Sequence, residues 1–127
     1  MNAERAEMRS EAGVAIAMAE WKSFLAAFSW QHRDSLVTIE IATPAGRVIE
    51  VEQRRLKAIW SDAAGSERRI YVQVHNDSDG DITCTIDEAH QVVEKDGDQE
   101  KGLEILSADG RVTRIEFRGA VRSEAAA

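Results

Sequence analysis

Residues 70–86 read Ile70-Tyr71-Val72-Gln73-Val74-His75-Asn76-Asp77-Ser78-Asp79-Gly80-Asp81-Ile82-Thr83-Cys84-Thr85-Ile86. Apolar side chains alternate with polar ones on both sides of a loop that ends in glycine, the pattern of two half-buried strands joined as a hairpin. Opposed residues of an antiparallel pair must point to the same face. A two-residue Asp79-Gly80 turn would set Val74 against Thr85, a core residue against a solvent one. A three-residue loop from Ser78 to Gly80 sets Val74 against Cys84, Val72 against Ile86 and His75 against Thr83, and puts glycine at the left-handed position such loops need.

Two further loops follow the same rule. Pro44-Ala45-Gly46 predicts Ile39 opposite Val51, and Ala108-Asp109-Gly110 predicts Leu103 opposite Ile115. Strands are therefore expected at 36–43, 47–53, 56–61, 69–76, 81–86, 103–107 and 111–118, with a further one at 91–95. Core parity is odd at Ile49 and Val51 but even at Leu56, Ala58 and Trp60, so the chain should kink or bulge near Gln53 to Arg55. A bend of this kind lets one strand serve two parts of a sheet.

Upstream, Val14, Met18, Trp21, Leu25 and Phe28 recur at helical spacing, with Phe24 widening the stripe, which predicts a helix over 14–28. The stripe is expected to pack on the sheet as core; Trp21, Phe24 and Phe28 are also the candidates for a partner-binding face. Met18 could serve as a start site in place of Met1, since the patterned part of the helix from Trp21 survives without the preceding residues. The expected fold is α+β: an N-terminal amphipathic helix on a strongly bent antiparallel meander or small barrel of SH3 or Sm type, spanning 14–122, with a flexible extension at 1–13 and a disordered tail at 123–127.

The chain has 127 residues and a formal charge of -7, from 23 acidic and 16 basic side chains. This length suits one domain with a single core. The acidic balance favours solubility and disfavours generic attraction to nucleic acid or anionic membrane. Cys84 is the only cysteine, so an internal disulfide is excluded and a reducing, cytoplasmic setting is expected. No apolar run approaches the roughly 18 residues needed to span a bilayer. The apolar run from Gly13 to Ala19 follows Glu4, Glu7 and Glu11 rather than a basic segment, unlike a signal peptide.

Taken together, Trp21, Phe24, Leu25 and Phe28, the strand Val37-Thr38-Ile39-Glu40, the segment Leu56-Lys57-Ala58-Ile59 with Asp62, the Thr85-Ile86-Asp87 step, and Leu103-Glu104-Ile105 through Asp109-Gly110 to Ile115-Glu116-Phe117 resemble a family of small bacterial proteins catalogued as a domain of unknown function. The resemblance covers most of the chain, from Trp21 to Phe117. It implies the fold and carries no activity, substrate or catalytic residue.

Candidate chemistry is sparse. Asp77, Asp79 and Asp81 form the densest set of oxygen ligands and partly match a calcium loop. The twelfth loop position, where a bidentate glutamate is needed, falls on Ile86, and the flanks are strands. Cys84 faces inward while His75 faces outward, which does not make a Cys–His pair, and the scattered His32, His75 and His90 lack zinc-ligand spacing. No glycine-rich phosphate loop or nucleophile elbow is present. Arg54, Arg55 and Lys57 at the bend, with Arg68, Arg69, Arg111, Arg114 and Arg118 and the outward Tyr71, permit an Sm-like RNA-binding reading. Glu50, Glu52 and Glu116 interleave with these cations and oppose it. No catalytic residue or cofactor is assigned. The expectation is a non-catalytic protein-interaction or oligomerising module, with an unknown protein partner or a second copy and without membrane or nucleic acid; an RNA-binding barrel, or a small enzyme or calcium binder, is the alternative.

Overall fold

The structure is a computed structural model that describes residues 13–62, 68–76, 80–96 and 101–117. The expected extension at 1–13, apart from Gly13, and the tail at 123–127 lie outside them. Strand β1 (Val14–Ile16) and a single turn of 3-10 helix (Met18–Glu20) lead into helix α1 (Trp21–Gln31). There follow β2 (Leu36–Thr43), β3 (Gly46–Asp62), β4 (Arg69–Val74), β5 (Ile82–Ile86), β6 (Ala89–Asp96), β7 (Lys101–Ser107) and β8 (Val112–Phe117). The described strands form one antiparallel sheet in the order β1-β6-β7-β8-β2-β3-β4-β5. The sheet is open, with β1 and β5 at its ends, so of the expected bent meander or small barrel the barrel is corrected to an open antiparallel sheet, and the α+β class holds.

The bend lies in β3, a strand of 17 residues where two separate ones were expected. Its first half pairs with β2, its second with β4. Near the end of the β2 pairing, between the pairs Ile39–Val51 and Val37–Arg54, Gln53 adopts φ 52° and its N–H donates to Thr38 Oγ1 at 3.2 Å, which puts the kink where the parity change predicted it. A further irregularity between Leu56 and Ala58 reverses the parity again. Ile59 therefore turns inward and is buried, whereas Trp60, expected in the core, is 41 % exposed on the outer face. There it stacks on Tyr71, its cross-strand neighbour, with ring centroids 5.3 Å apart. The three-residue spacing from Leu56 to Ile59 was the sequence's only trace of this bulge.

The three turns fare differently. Ser107 to Arg111 is the expected three-residue hairpin, with Gly110 at φ 94° and Leu103 opposite Ile115. The β2–β3 connection is instead a two-residue Pro44-Ala45 turn, with Thr43 opposite Gly46. Ile39 still meets Val51 because an extra residue, Glu50, is bulged out between the pairs Glu40–Ile49 and Ile39–Val51. Ile49 is thereby 55 % exposed rather than core. In the middle hairpin Val74 faces Ile82 and Val72 faces Cys84, two residues away from the expected register. A slip of two preserves every inside–outside assignment, so parity could not detect it.

The helix begins later than its stripe. Val14 to Ile16 pairs with Glu94 to Val92, because alternating Val14 and Ile16 satisfy a strand and the sheet edge captures them before a helical turn forms. The Trp21 indole N–H donates to the Ile16 carbonyl at 3.0 Å and ties the strand end to the helix start. Trp21, Leu25 and Phe28 are buried with Val37, Ile39, Leu56, Ile59, Ile70, Val72, Val74, Val92, Leu103, Ile105 and Ile115, and Phe24 packs against this core. Each fully buried branched side chain of this kind contributes about 1.5–3 kcal/mol. The helix also covers one edge of β3: Ile59 N–H donates to Ser29 Oγ at 3.0 Å, and the Leu56 N–H and carbonyl bond Ser35 and Asp34 at 2.8 Å.

Gly102 packs so closely that a Cβ there would sit 1.9 Å from the Ile115 carbonyl oxygen, whereas one at Gly46 would meet nothing within 4 Å. Gly102→Ala is expected to destabilise by about 3 kcal/mol through forced separation of β7 and β8. Gly46→Ala should cost about 1 kcal/mol from backbone strain alone. Urea unfolding of the two variants against the parent protein measures the difference.

Candidate functional site

The cations of the sheet divide into two groups. Across the outer face, Lys95, Glu104, Arg114, Glu40 and Arg47 form a row from β6 to β3, with Lys95–Glu104 at 3.6 Å, Arg114–Glu104 at 2.8 Å, Arg114–Glu40 at 3.7 Å and Arg47–Glu40 at 3.6 Å. Glu104, hydrogen-bonded to Arg114, raises the Arg114 pKa further. Arg69 bonds Asp87 at 3.0 Å, Lys101 lies 3.9 Å from Asp96, and Arg111 bonds Asp109 at 2.9 Å. Arg118 lies outside the described residues.

Arg54 and Arg55 stand apart. Neither forms an ion pair with a described residue, and neither do Glu50 and Glu52 just before them on β3. Two open grooves meet at Gln53 and Arg54. One, of about 540 Å³, is lined by Asp34, Leu36, Gln53, Arg54, Arg55 and His75. The other, of about 460 Å³, is lined by Glu50, Val51, Glu52, Gln53, Arg54 and Ile82. The second lies between β3 and Ile82 of β5, whereas the first reaches from β3 to Asp34, to Leu36 at the start of β2 and to His75. Over 46–54 no described strand pairs with the side of β3 that faces away from β2, whereas at Arg55 the carbonyl accepts the His75 N–H at 2.9 Å.

Of the three basic residues expected at the bend, Arg54 and Arg55 thus share a groove, while Lys57 is engaged elsewhere: its ammonium binds Asp81 Oδ2 at 2.5 Å. That contact holds the Asp81 carboxyl below its ordinary 3.8. Asp81 also lies 3.6 Å from His75 Nδ1; the register slip brings His75 to Asp81 in place of Thr83. Of the calcium candidates, Asp77 and Asp79 lie outside the described residues. Among the described residues no group of three or more His, Cys, Asp or Glu is placed to hold a metal ion. Cys84 is half-buried, and that burial, with Glu50 nearby, pushes its thiol pKa up. No described helix is long and apolar enough to cross a membrane.

Trp21 and Phe28, candidates for a docking face, are covered by the chain's own core, and Phe24 is partly so. What the helix pattern did not disclose is the exposed pair on β3, Val48 at 57 % and Ile49 at 55 %. Parity placed Ile49 inside, and only the Glu50 bulge turns it out. Comparison with family models, with curated proteins and with solved structures finds no match to this chain.

Two titrations follow from this geometry. The folded Asp81 pKa is depressed, so the Lys57 contact contributes stability above the ordinary carboxylate range and loses it as pH falls through that range. Lys57→Met is expected to return the Asp81 carboxyl towards its ordinary value in an NMR titration. His32 stacks on Phe117 at 4.4 Å and meets Phe28 in a tilted contact at 4.5 Å, and burial, then Lys101, lowers its pKa from 6.5. The unfolded chain therefore protonates His32 first, and stability falls as pH drops below 6.5 towards the folded value. His32→Phe keeps a ring in place and should reduce that acid sensitivity, read from urea midpoints at neutral and mildly acid pH.

Proposed function

We propose that the protein is a protein-interaction module that works through the open edge of β3. The observation that carries this reading is that, among the described residues, 46–54 of β3 have a strand on one side only and display Val48 and Ile49 to solvent. An unpaired strand edge offers a row of backbone donors and acceptors to an added strand, and exposed apolar side chains beside it supply the burial that makes such pairing favourable. The bulge at Glu50 and the kink at Gln53 twist the edge, which opposes open-ended sheet stacking and suits a limited, specific contact. The likeness of the core and turn residues to small bacterial proteins of unknown function is compatible with this reading and adds no activity to it.

The second reading is RNA binding on an Sm-like scaffold, favoured by the two arginines at the bend that have no ion-pair partner among the described residues. Glu50 and Glu52, on the same strand, would repel the phosphates that Arg54 and Arg55 attract.

Light scattering of the natively purified protein, with absorbance recorded at nucleic-acid and protein wavelengths on the same peak, separates these readings. The expected result is a complex, with itself or with a co-purifying protein, that Val48→Asp/Ile49→Asp abolishes while the unfolding midpoint is unchanged. A monomer that these substitutions do not alter would overturn the edge reading. Nucleic acid in the peak, displaced by salt, would favour the RNA reading.

A further inference from the structure

Consecutive residues of a regular strand point to opposite faces. Beside the left-handed Gln53, at φ 52°, Arg54 and Arg55 instead both line the groove of about 540 Å³ that they share with Asp34, Leu36, Gln53 and His75. Backbone bonds fix its two walls: the Asp34 N–H donates to the Leu56 carbonyl at 2.8 Å, and the His75 N–H to the Arg55 carbonyl at 2.9 Å. The groove is thus built on the strand rather than assembled around a ligand. Its charge sets it apart. Arg47, Lys57, Arg69 and Arg114 each meet a carboxylate, whereas Arg54 and Arg55 have no ion-pair partner among the described residues. The one carboxylate of the lining, Asp34, lies 3.8 Å from His75 Nε2. Two adjacent guanidiniums repel each other, and an anion held between them relieves that repulsion.

The chemistry of the lining discriminates between anions. A guanidinium presents a planar fork of donors that pairs with two oxygens of its acceptor. Two forks side by side ask for more oxygens than a carboxylate has, and a phosphate supplies them. A nucleic-acid strand fits less well: among the described residues no aromatic side chain lines the groove for a base to stack on, and Glu52 lines the groove that continues from it. The volume lies within the roughly 300–1,000 Å³ of small-molecule sites. Asp34 accepts hydrogen bonds and Gln53 both donates and accepts, which suits hydroxyl groups. We propose that this groove binds a small hydroxylated phosphate monoester, with Arg54 and Arg55 on the phosphate oxygens and Asp34 and Gln53 toward the hydroxyls. The site uses the kink and not Val48 or Ile49, so it stands or falls apart from the edge reading.

The test uses the full chain, labelled for amide NMR and titrated with glycerol 3-phosphate, inorganic phosphate, glycerol, and sodium chloride of matched ionic strength. Glycerol 3-phosphate is expected to shift the amides of 34–36, 53–55 and 75 saturably and to bind more tightly than inorganic phosphate, while glycerol and the salt leave them in place. Arg54→Gln/Arg55→Gln should weaken that binding by about tenfold or more, with the unfolding midpoint unchanged. Arg47→Gln removes a cation of the same strand outside the groove and should not weaken it. Should the double variant fail to fold, Arg55→Gln alone must weaken binding for the proposal to stand. No shift with glycerol 3-phosphate overturns the proposal. Equal shifts with sodium chloride, or equal weakening by Arg47→Gln, reveal a general charge effect and overturn it as well. Equal binding of inorganic phosphate identifies the free anion as the ligand and overturns the ester. If an oligouridine shifts these amides and glycerol 3-phosphate does not, the groove is a nucleic-acid site and the proposal fails.

Discussion

The structure depends on one strand being shared by two parts of the sheet. β3 pairs with β2 as far as Arg55 and with β4 from Leu56 onward. A straight strand with period-two side chains would direct its apolar set to one face throughout. The left-handed Gln53 and the irregularities beside it change which residues face inward, so Val51, Leu56 and Ile59 all reach one core despite their uneven spacing. The cost is local backbone strain and interrupted pairing, offset by burial of the core that both halves and α1 enclose.

The same bend creates the asymmetry of the edges. Beyond the kink, the side of β3 away from β4 is closed by the helix and the turn that follows it, with Ser29, Asp34 and Ser35 meeting its polar groups. Before the kink, the side away from β2 has no described strand against it. The fold protects one stretch of backbone with a hydroxyl and a helix and leaves the other lined by charged side chains. An unpaired edge is a hazard unless it is bent, charged or occupied; here it is bent and charged.

Much of this architecture was legible without coordinates. Leu36–Thr43 and the Ala108-Asp109-Gly110 turn were read at their observed positions, because strict alternation and a left-handed glycine leave little freedom. The kink near Gln53 was visible as a parity conflict. Val14 to Met18 misled, because Val14 and Met18 fit a helical stripe while Val14 and Ile16 fit a strand, and the edge of β6 decided between them. Trp60 and Ile49 misled for a different reason: a single bulged residue inverts every assignment beyond it. In the site, Arg54 and Arg55 were legible as a basic pair, but their lack of an ion-pair partner among the described residues was not, since Lys57 looked equivalent until Asp81 met it across the sheet.

By itself the sequence determined which segments from Leu36 onward are strands and that the chain must break its period near Gln53, because these follow from side-chain periodicity and glycine's access to positive φ. It could not determine the register of the middle hairpin, the open ends of the sheet, or which charges remain unpaired. A two-residue slip leaves the side-chain pattern unchanged, closure depends on how far each bulge turns the chain, and ion pairing depends on distances between residues far apart in sequence. Those are properties of the assembled sheet, and they locate the exposed edge on which the functional reading rests.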